Sequence, residues 1–128
     1  MTIEETLSLN ITQQLKQSVK VPVFSSNVDN NLDYPQIIYE LINESLATPY
    51  KTQATGNYLV QVDVYTGQNQ RGTMFQLVNL AKNALRHLPM PDILNVDVSV
   101  NYSIDNSTDK ILNRGIISAY YTIKTGGF

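Results

Sequence analysis

Twice in this chain apolar and polar side chains alternate without a break. Tyr58, Val60, Val62 and Val64 alternate with Leu59, Gln61, Asp63 and Tyr65; later, Val96, Val98, Val100, Tyr102 and Ile104 alternate with Asp97, Ser99, Asn101 and Ser103. Successive side chains of an extended strand point to opposite faces, so the pattern predicts strands at 55–65 and 96–104, each with one buried face. Between them the period changes. Met74, Leu77, Val78, Ala81, Ala84, Leu85 and Leu88 collect within about 120° of a helix running from 70 to 88, and Pro89 and Pro91 stop it. A helix with one apolar stripe between strands with one apolar face each implies helix packed on sheet.

The remaining signals are shorter. Thr2 followed by Glu5 is a capping box, in which each side chain answers an exposed backbone N–H, so a helix begins here. Its apolar positions, Ile3, Leu7, Ile11, Leu15 and Val19, step by four residues and sweep a buried stripe roughly 160° wide. Leu9 lies off that stripe and is either an ordinary exposed leucine or a contact with another subunit. Pro22 closes the helical stretch, and 21–24 reads as a short strand. A polar loop at 25–33 leads to a second strand at 34–42. Pro35, with no N–H for a ladder, belongs at its first position or its edge. The polar, turn-forming segment 43–56 is long enough for a projecting arm or an extended hairpin. The turn DNSTDK at 105–110 joins the 96–104 strand to a last one at 115–124 as an antiparallel hairpin. The fold class is therefore α+β in the order α-β-β-β-α-β-β: a mainly antiparallel sheet with meander connections and two helices packed on one face. No linker or repeat interrupts it, so 1–128 is one domain with an arm around 43–57 and a short flexible tail at 125–128.

Composition narrows the function. A chain of 128 residues, 42% of them hydrophobic, buries about two thirds of its unfolded surface and needs no staples. It has no cysteine, which excludes thiol nucleophiles, thiolate metal cages and dithiol redox chemistry. Nine basic and 11 acidic residues leave a net charge of −2, not the positive footprint of a protein that grips phosphate backbones. The opening MTIEETLSLN lacks the charge and apolar run of a signal peptide, and no apolar stretch approaches the roughly 20 residues that span a bilayer. Synthesis in a cytoplasm, with no membrane contact, is the expectation. Asn-x-Ser/Thr triplets at Asn10, Asn43, Asn101 and Asn106 are assigned no role in an asparagine-rich chain with no secretory signal.

Little points to catalysis, and the expectation is no enzyme, no cofactor and no metal. His87 is the one histidine; at the end of a helix it reads as a helix-end residue, with no second ligand for a metal and no nucleophile beside it. Asp63 and Asp97 could pair as two carboxylates, but each stands in the polar phase of its strand, where exposure to solvent explains it more simply. Gly67 and Gly72 have phosphate-loop spacing between a strand and a helix, yet the lysine such a loop needs is missing. Gly67 then turns the chain while Gln68, Asn69 and Gln70 help cap the helix. Phe75, Asn79, Lys82 and Arg86 share a sector of about 60° on that helix, away from its apolar stripe. Two readings fit: a solvated face whose cations complement the helix C-terminal dipole, or a docking stripe anchored by Phe75.

Several phrases carry a family resemblance: Val21-Pro-Val-Phe24 after an N-terminal helix, Tyr34-Pro35-Gln-Ile-Ile-Tyr39-Glu40, a polar arm, the strand Tyr58-Leu-Val-Gln-Val-Asp-Val-Tyr65, then Gly67, Arg71 and Gly72 before the second helix, and the final Gly115-Ile-Ile-Ser-Ala-Tyr-Tyr-Thr-Ile-Lys124. Over nearly its whole length the chain resembles the tail terminator, or tail completion, proteins of bacteriophages with long non-contractile tails, also called tail-to-head joining proteins. The resemblance implies a structural virion protein that forms a homohexameric ring on the head-proximal end of the tail tube. There it would stop tube polymerisation and offer a surface to the head-tail connector. Its partners would be its own copies, the tail tube protein and the connector, with double-stranded DNA passing through the lumen without specific binding. No catalytic residue comes with the family. The arm residues Thr48, Pro49, Tyr50 and Lys51 are expected to contact the tube or a neighbouring subunit, or else form a plain surface loop; Lys82 and Arg86 are the second choice, against an acidic patch on the next subunit. Rival readings are a head-closure or adaptor subunit, and a small-ligand-binding α+β domain.

Overall fold

Thr2 and Glu5 form the capping box. The Glu5 N–H donates to Thr2 Oγ1 at 3.1 Å and the Thr2 N–H donates to Glu5 Oε1 at 3.0 Å, and the bond from the Thr2 backbone pulls the Glu5 carboxyl below its ordinary pKa. They start helix α1, Ile3–Ser18, which buries Leu7, Ile11 and Leu15. In the computed structural model, which describes residues 2–25, 35–46, 54–106 and 111–126, α1 is followed by β1 (Val23–Ser25), β2 (Gln36–Leu46), β3 (Ala54–Gly67), α2 (Arg71–Arg86), β4 (Ile93–Asp105) and β5 (Leu112–Gly126). The element order and the α+β class are those predicted.

The five strands make one sheet in the order β1-β2-β3-β5-β4. β1 runs parallel to β2, and the other three pairings are antiparallel. Pro35 stands immediately before β2, as its missing N–H requires. The connections depart from a meander, because β5 lies between β3 and β4. Helix α2, about 24 Å long at 1.5 Å per residue, carries the chain back along the sheet, so β4 runs in the same direction as β3. β5 fills the space between them and is antiparallel to both, which satisfies two ladders with one strand.

Strand ends also move outward. β2 and β3 continue as a hairpin that pairs Leu46 with Gly56, so much of the expected arm is sheet; residues 47–53 lie outside the described residues. β5 extends to pair Gly126 with Ala54, which makes strand of half of the expected 125–128 tail; 127–128 lie outside the described residues.

Both helices cover one face. Across β3, β5 and β4 the register aligns Tyr58 with Tyr121 and Val96, Val60 with Ala119 and Val98, and Val62 with Ile117 and Val100. These rows meet Leu7, Ile11, Leu15 and Val19 from α1 and its cap, and Met74, Val78, Ala81 and Leu85 from α2. Contact is closest at Gly115, where an added Cβ would lie 2.6 Å from Val78 Cγ2. Gly115→Ala must therefore push α2 from the sheet, at an expected cost of about 1–3 kcal/mol in urea unfolding; an unchanged midpoint would show that the helix moves freely there.

Among the described residues, the opposite face has no helix on it. Near its β2 end, Ile38, Tyr65 and Leu112 form a second, small apolar cluster, while Asp97, Ser99, Asn101 and Ser103 of β4 are exposed. Asp63 corrects the expectation of solvent exposure: it is only 8% exposed, because Arg114 from β5 closes over it.

Candidate interaction surface

The flank of α2 and the strand β4 form one surface. Phe75 leaves the buried stripe sideways and meets the Tyr102 ring edge-on, with centroids 5.2 Å apart at 76°. The Arg71 guanidinium lies 5.8 Å from the Phe75 centroid, within cation–π range. This contact shows which way the Phe75, Asn79, Lys82 and Arg86 stripe faces: it overhangs the outermost strand. Asn79 and Arg86 are exposed and Lys82 is half-buried. Phe75 is still 39% exposed, so it is held by Tyr102 and also available to a partner.

Beside the Phe75–Tyr102 pair is an open concavity of about 340 Å³ lined by Arg71, Met74, Tyr102, Ser103, Ile104 and Asn113. Of its polar lining, Asn113 is already engaged. Asn113 Nδ2 donates to the carbonyls of Gly67 at 2.8 Å and Gln68 at 3.3 Å, so it braces the turn into α2. The Gly67 carbonyl also accepts from the Gln70 N–H at 2.9 Å, and the Gly67 N–H donates to Gln70 Oε1 at 3.0 Å. The glutamine thus ties the turn to itself, and no side chain caps the N-terminus of α2, which corrects the capping role expected of 68–70. The glycine pair serves a strand-to-helix turn.

Other candidates separate. Asp63 shares its row with Ile116 and Asn101, whereas Asp97 shares one with Tyr120 and Leu59; two intervening strand spacings and four residues of offset keep the carboxylates apart. Asp63 is bound at 2.8 Å by Arg114 Nη2 and at 3.2 and 3.3 Å by Gln61 Nε2. Partial burial works against the Arg114 charge, but the hydrogen bond and charge of Asp63 outweigh it and raise the guanidinium pKa. His87 caps α2, its N–H donating to the Ala84 carbonyl at 3.2 Å and its Nδ1–H to the Asn83 carbonyl at 2.8 Å. Thr48, Pro49, Tyr50 and Lys51 lie outside the described residues. Among the described residues no cluster of three metal-ligating side chains occurs, and no helix is long and apolar enough to cross a membrane. Tyr102 and the outer edge of β4 carried no local signal, since alternation assigns Tyr102 to the buried face and its partner Phe75 is 27 residues away.

No family model matches the chain, and no curated protein is similar to it in sequence. Its fold is similar to that of a chain in the solved virion of a native gene transfer agent particle: the TM-score is 0.65 at 16% identity, and the match covers 89% of this chain and 91% of the other. Two proteins of nearly the same extent thus share this arrangement of helices and strands.

Proposed function

We propose that this protein is a structural component of a bacteriophage-like virion, and that it forms a homohexameric ring capping the head-proximal end of the tail tube. The observation that carries the reading is the fold shared with a virion chain over about nine-tenths of both molecules. The sequence phrases quoted above supply the position within the particle. Mechanistically, one ring face copies what a tube subunit offers its neighbour while the other lacks what the next tube ring needs, so growth stops by geometry. Six contacts on one rigid ring act together, and each can be modest. The other face then meets the head-tail connector. With a net charge of −2, the ring does not retain DNA by counterion release as it passes.

The test is light scattering of the protein alone and mixed with the tube protein of the same particle. A ring in either sample, with tubes that stay short in its presence, is the expected result. Unchanged tube growth with binding to the head connector instead would make it a head-closure or adaptor subunit. A monomer that binds neither would overturn the virion-ring reading and favour the ligand-binding alternative.

A further inference from the structure

The 13 residues of β4 end the sheet on one side, and among the described residues no strand pairs with their outer edge. Long open edges usually carry lysine or proline that discourage pairing. β4 has neither, and its one irregularity falls at its start, between Ile93 and Asn95. Its apolar phase is also unfinished. In the same rows Val60 and Val62 of β3 and Ile117 and Ala119 of β5 are buried, whereas Val96, Val98 and Val100 are only partly so, and Tyr102 and Ile104 are 47% and 62% exposed.

The flank above this edge is basic. α2 contains Arg71, Lys82 and Arg86 and no carboxylate, in a chain whose net charge is −2. Lys82 and Arg86 lie within about 20° of Phe75 around the helix, so they share the side on which Phe75 meets Tyr102. Two contacts set their level along the sheet. Gly115, in the row of Tyr102, lies against Val78, and the Tyr121 hydroxyl, in the row of Val96, donates to the Leu85 carbonyl. Lys82 therefore stands between the levels of Tyr102 and Val96, and Arg86 near that of Val96. Among the described residues neither is in an ion pair, and Arg71 rests on the Phe75 ring.

We infer that the β4 edge and the basic flank of α2 receive one partner, an extended acidic segment of another protein that adds a strand to the sheet. Its backbone pairs with β4. Side chains in its helix-facing phase lie about 5 Å beyond Val96, Val98 and Val100, where carboxylates reach Lys82 and Arg86; an apolar side chain level with Tyr102 enters the concavity beside Arg71, Met74 and Ile104. A second copy does not supply this segment. β1 occupies the outer side of β2 at Ile37, Ile38 and Tyr39, so a neighbour's β4 cannot lie full length along it, and β4 against β4 about a two-fold axis sets the basic flank against itself. A nucleic acid answers the cations but offers nothing that continues a β-ladder. One copy carries the whole surface, so the inference does not rest on the ring proposed above.

Fluorescence polarisation with labelled synthetic peptides tests this. One peptide alternates threonine with glutamate and valine, a second has lysine in place of glutamate, and a third keeps the acidic residues but carries prolines that break strand pairing. Only the first is expected to bind, and Lys82→Glu/Arg86→Glu should weaken it at least about tenfold with an unchanged circular dichroism spectrum. Because the chain has no cysteine, Ser99→Cys gives a second readout. Ser99 is exposed, on the phase away from the helices, so this variant should form a disulfide with a cysteine in the threonine phase of the acidic peptide and not with one in its glutamate phase. Equal binding of the proline peptide, or disulfides with both phases alike, would reduce the surface to charge and overturn strand addition. No binding of the acidic peptide, binding indifferent to Lys82→Glu/Arg86→Glu, or tighter binding of duplex DNA at physiological salt would overturn the acidic-strand partner. Peptide binding by a protein that forms no ring in light scattering would support this surface and count against the ring alone.

Discussion

Tyr121→Ala is expected to lower the unfolding free energy by about 4 kcal/mol, and Tyr121→Phe by about 1–2 kcal/mol. Tyr121 is 1% exposed in the centre of the helix-covered face. Its hydroxyl donates to the Leu85 carbonyl at 2.6 Å, one of the last-turn carbonyls that α2 cannot satisfy itself. Alanine removes a ring that the surrounding strands cannot collapse onto; phenylalanine removes only the answer to a buried acceptor. The same burial pushes the phenol pKa well above its ordinary 10.0. The folded state therefore holds this proton more tightly than the unfolded chain. Its contribution is complete below about pH 10 and is lost as the pH rises toward the folded-state value. Urea titrations at about pH 8 and about pH 11 should show a fall in stability that Tyr121→Phe reduces; an equal fall in both proteins would mean that Tyr121 does not govern it.

Asp63→Ala is expected to cost about 2–3 kcal/mol, while Asp63→Leu combined with Arg114→Met should return to within about 1 kcal/mol of the parent. The single substitution leaves a partly buried guanidinium without its carboxylate, and Arg114 Nε already has no hydrogen-bond partner. Arg114 keeps some access to water and sits 5.7 Å from the Tyr65 ring centroid, which limits the loss. The double substitution removes both desolvated charges and keeps apolar volume over Ile38, Tyr65 and Leu112. Thermal or urea unfolding of the three variants checks this. A double variant as unstable as the single would mean that the pair fixes the geometry of the sheet beyond its charge.

Most of the secondary structure was legible because its cues are local. The Thr2–Glu5 box, the valine alternation of β3 and β4, the α2 stripe and its terminating prolines each lie within a few residues, and the elements formed where they point. The ends of strands were not legible. Leu112, Asn113 and Arg114 fall between the predicted turn at 105–110 and the predicted strand at 115–124, because an apolar, a neutral polar and a charged side chain in succession show no period, yet all three are strand residues with specific tasks. Asp63 misled for a related reason: its phase in the strand identified its face correctly, but a face is exposed only if nothing from another strand closes over it, and Arg114 is 51 residues away.

The interaction surface divides in the same way. Sequence alone placed Phe75, Lys82 and Arg86 on one helical sector, since 100° per residue is a property of the helix itself. It could not say what that sector faces. Periodicity records where a side chain points within its own element. Which strands become neighbours, which edges stay open and what overhangs them follow from contacts between distant segments, settled together when the helices bury the sheet. The sequence by itself therefore determined the elements, their apolar faces and the α+β class. Only the tertiary structure decided that β5 separates β3 from β4, that Asp63 is closed in by Arg114, and that the basic flank of α2 stands above an open strand.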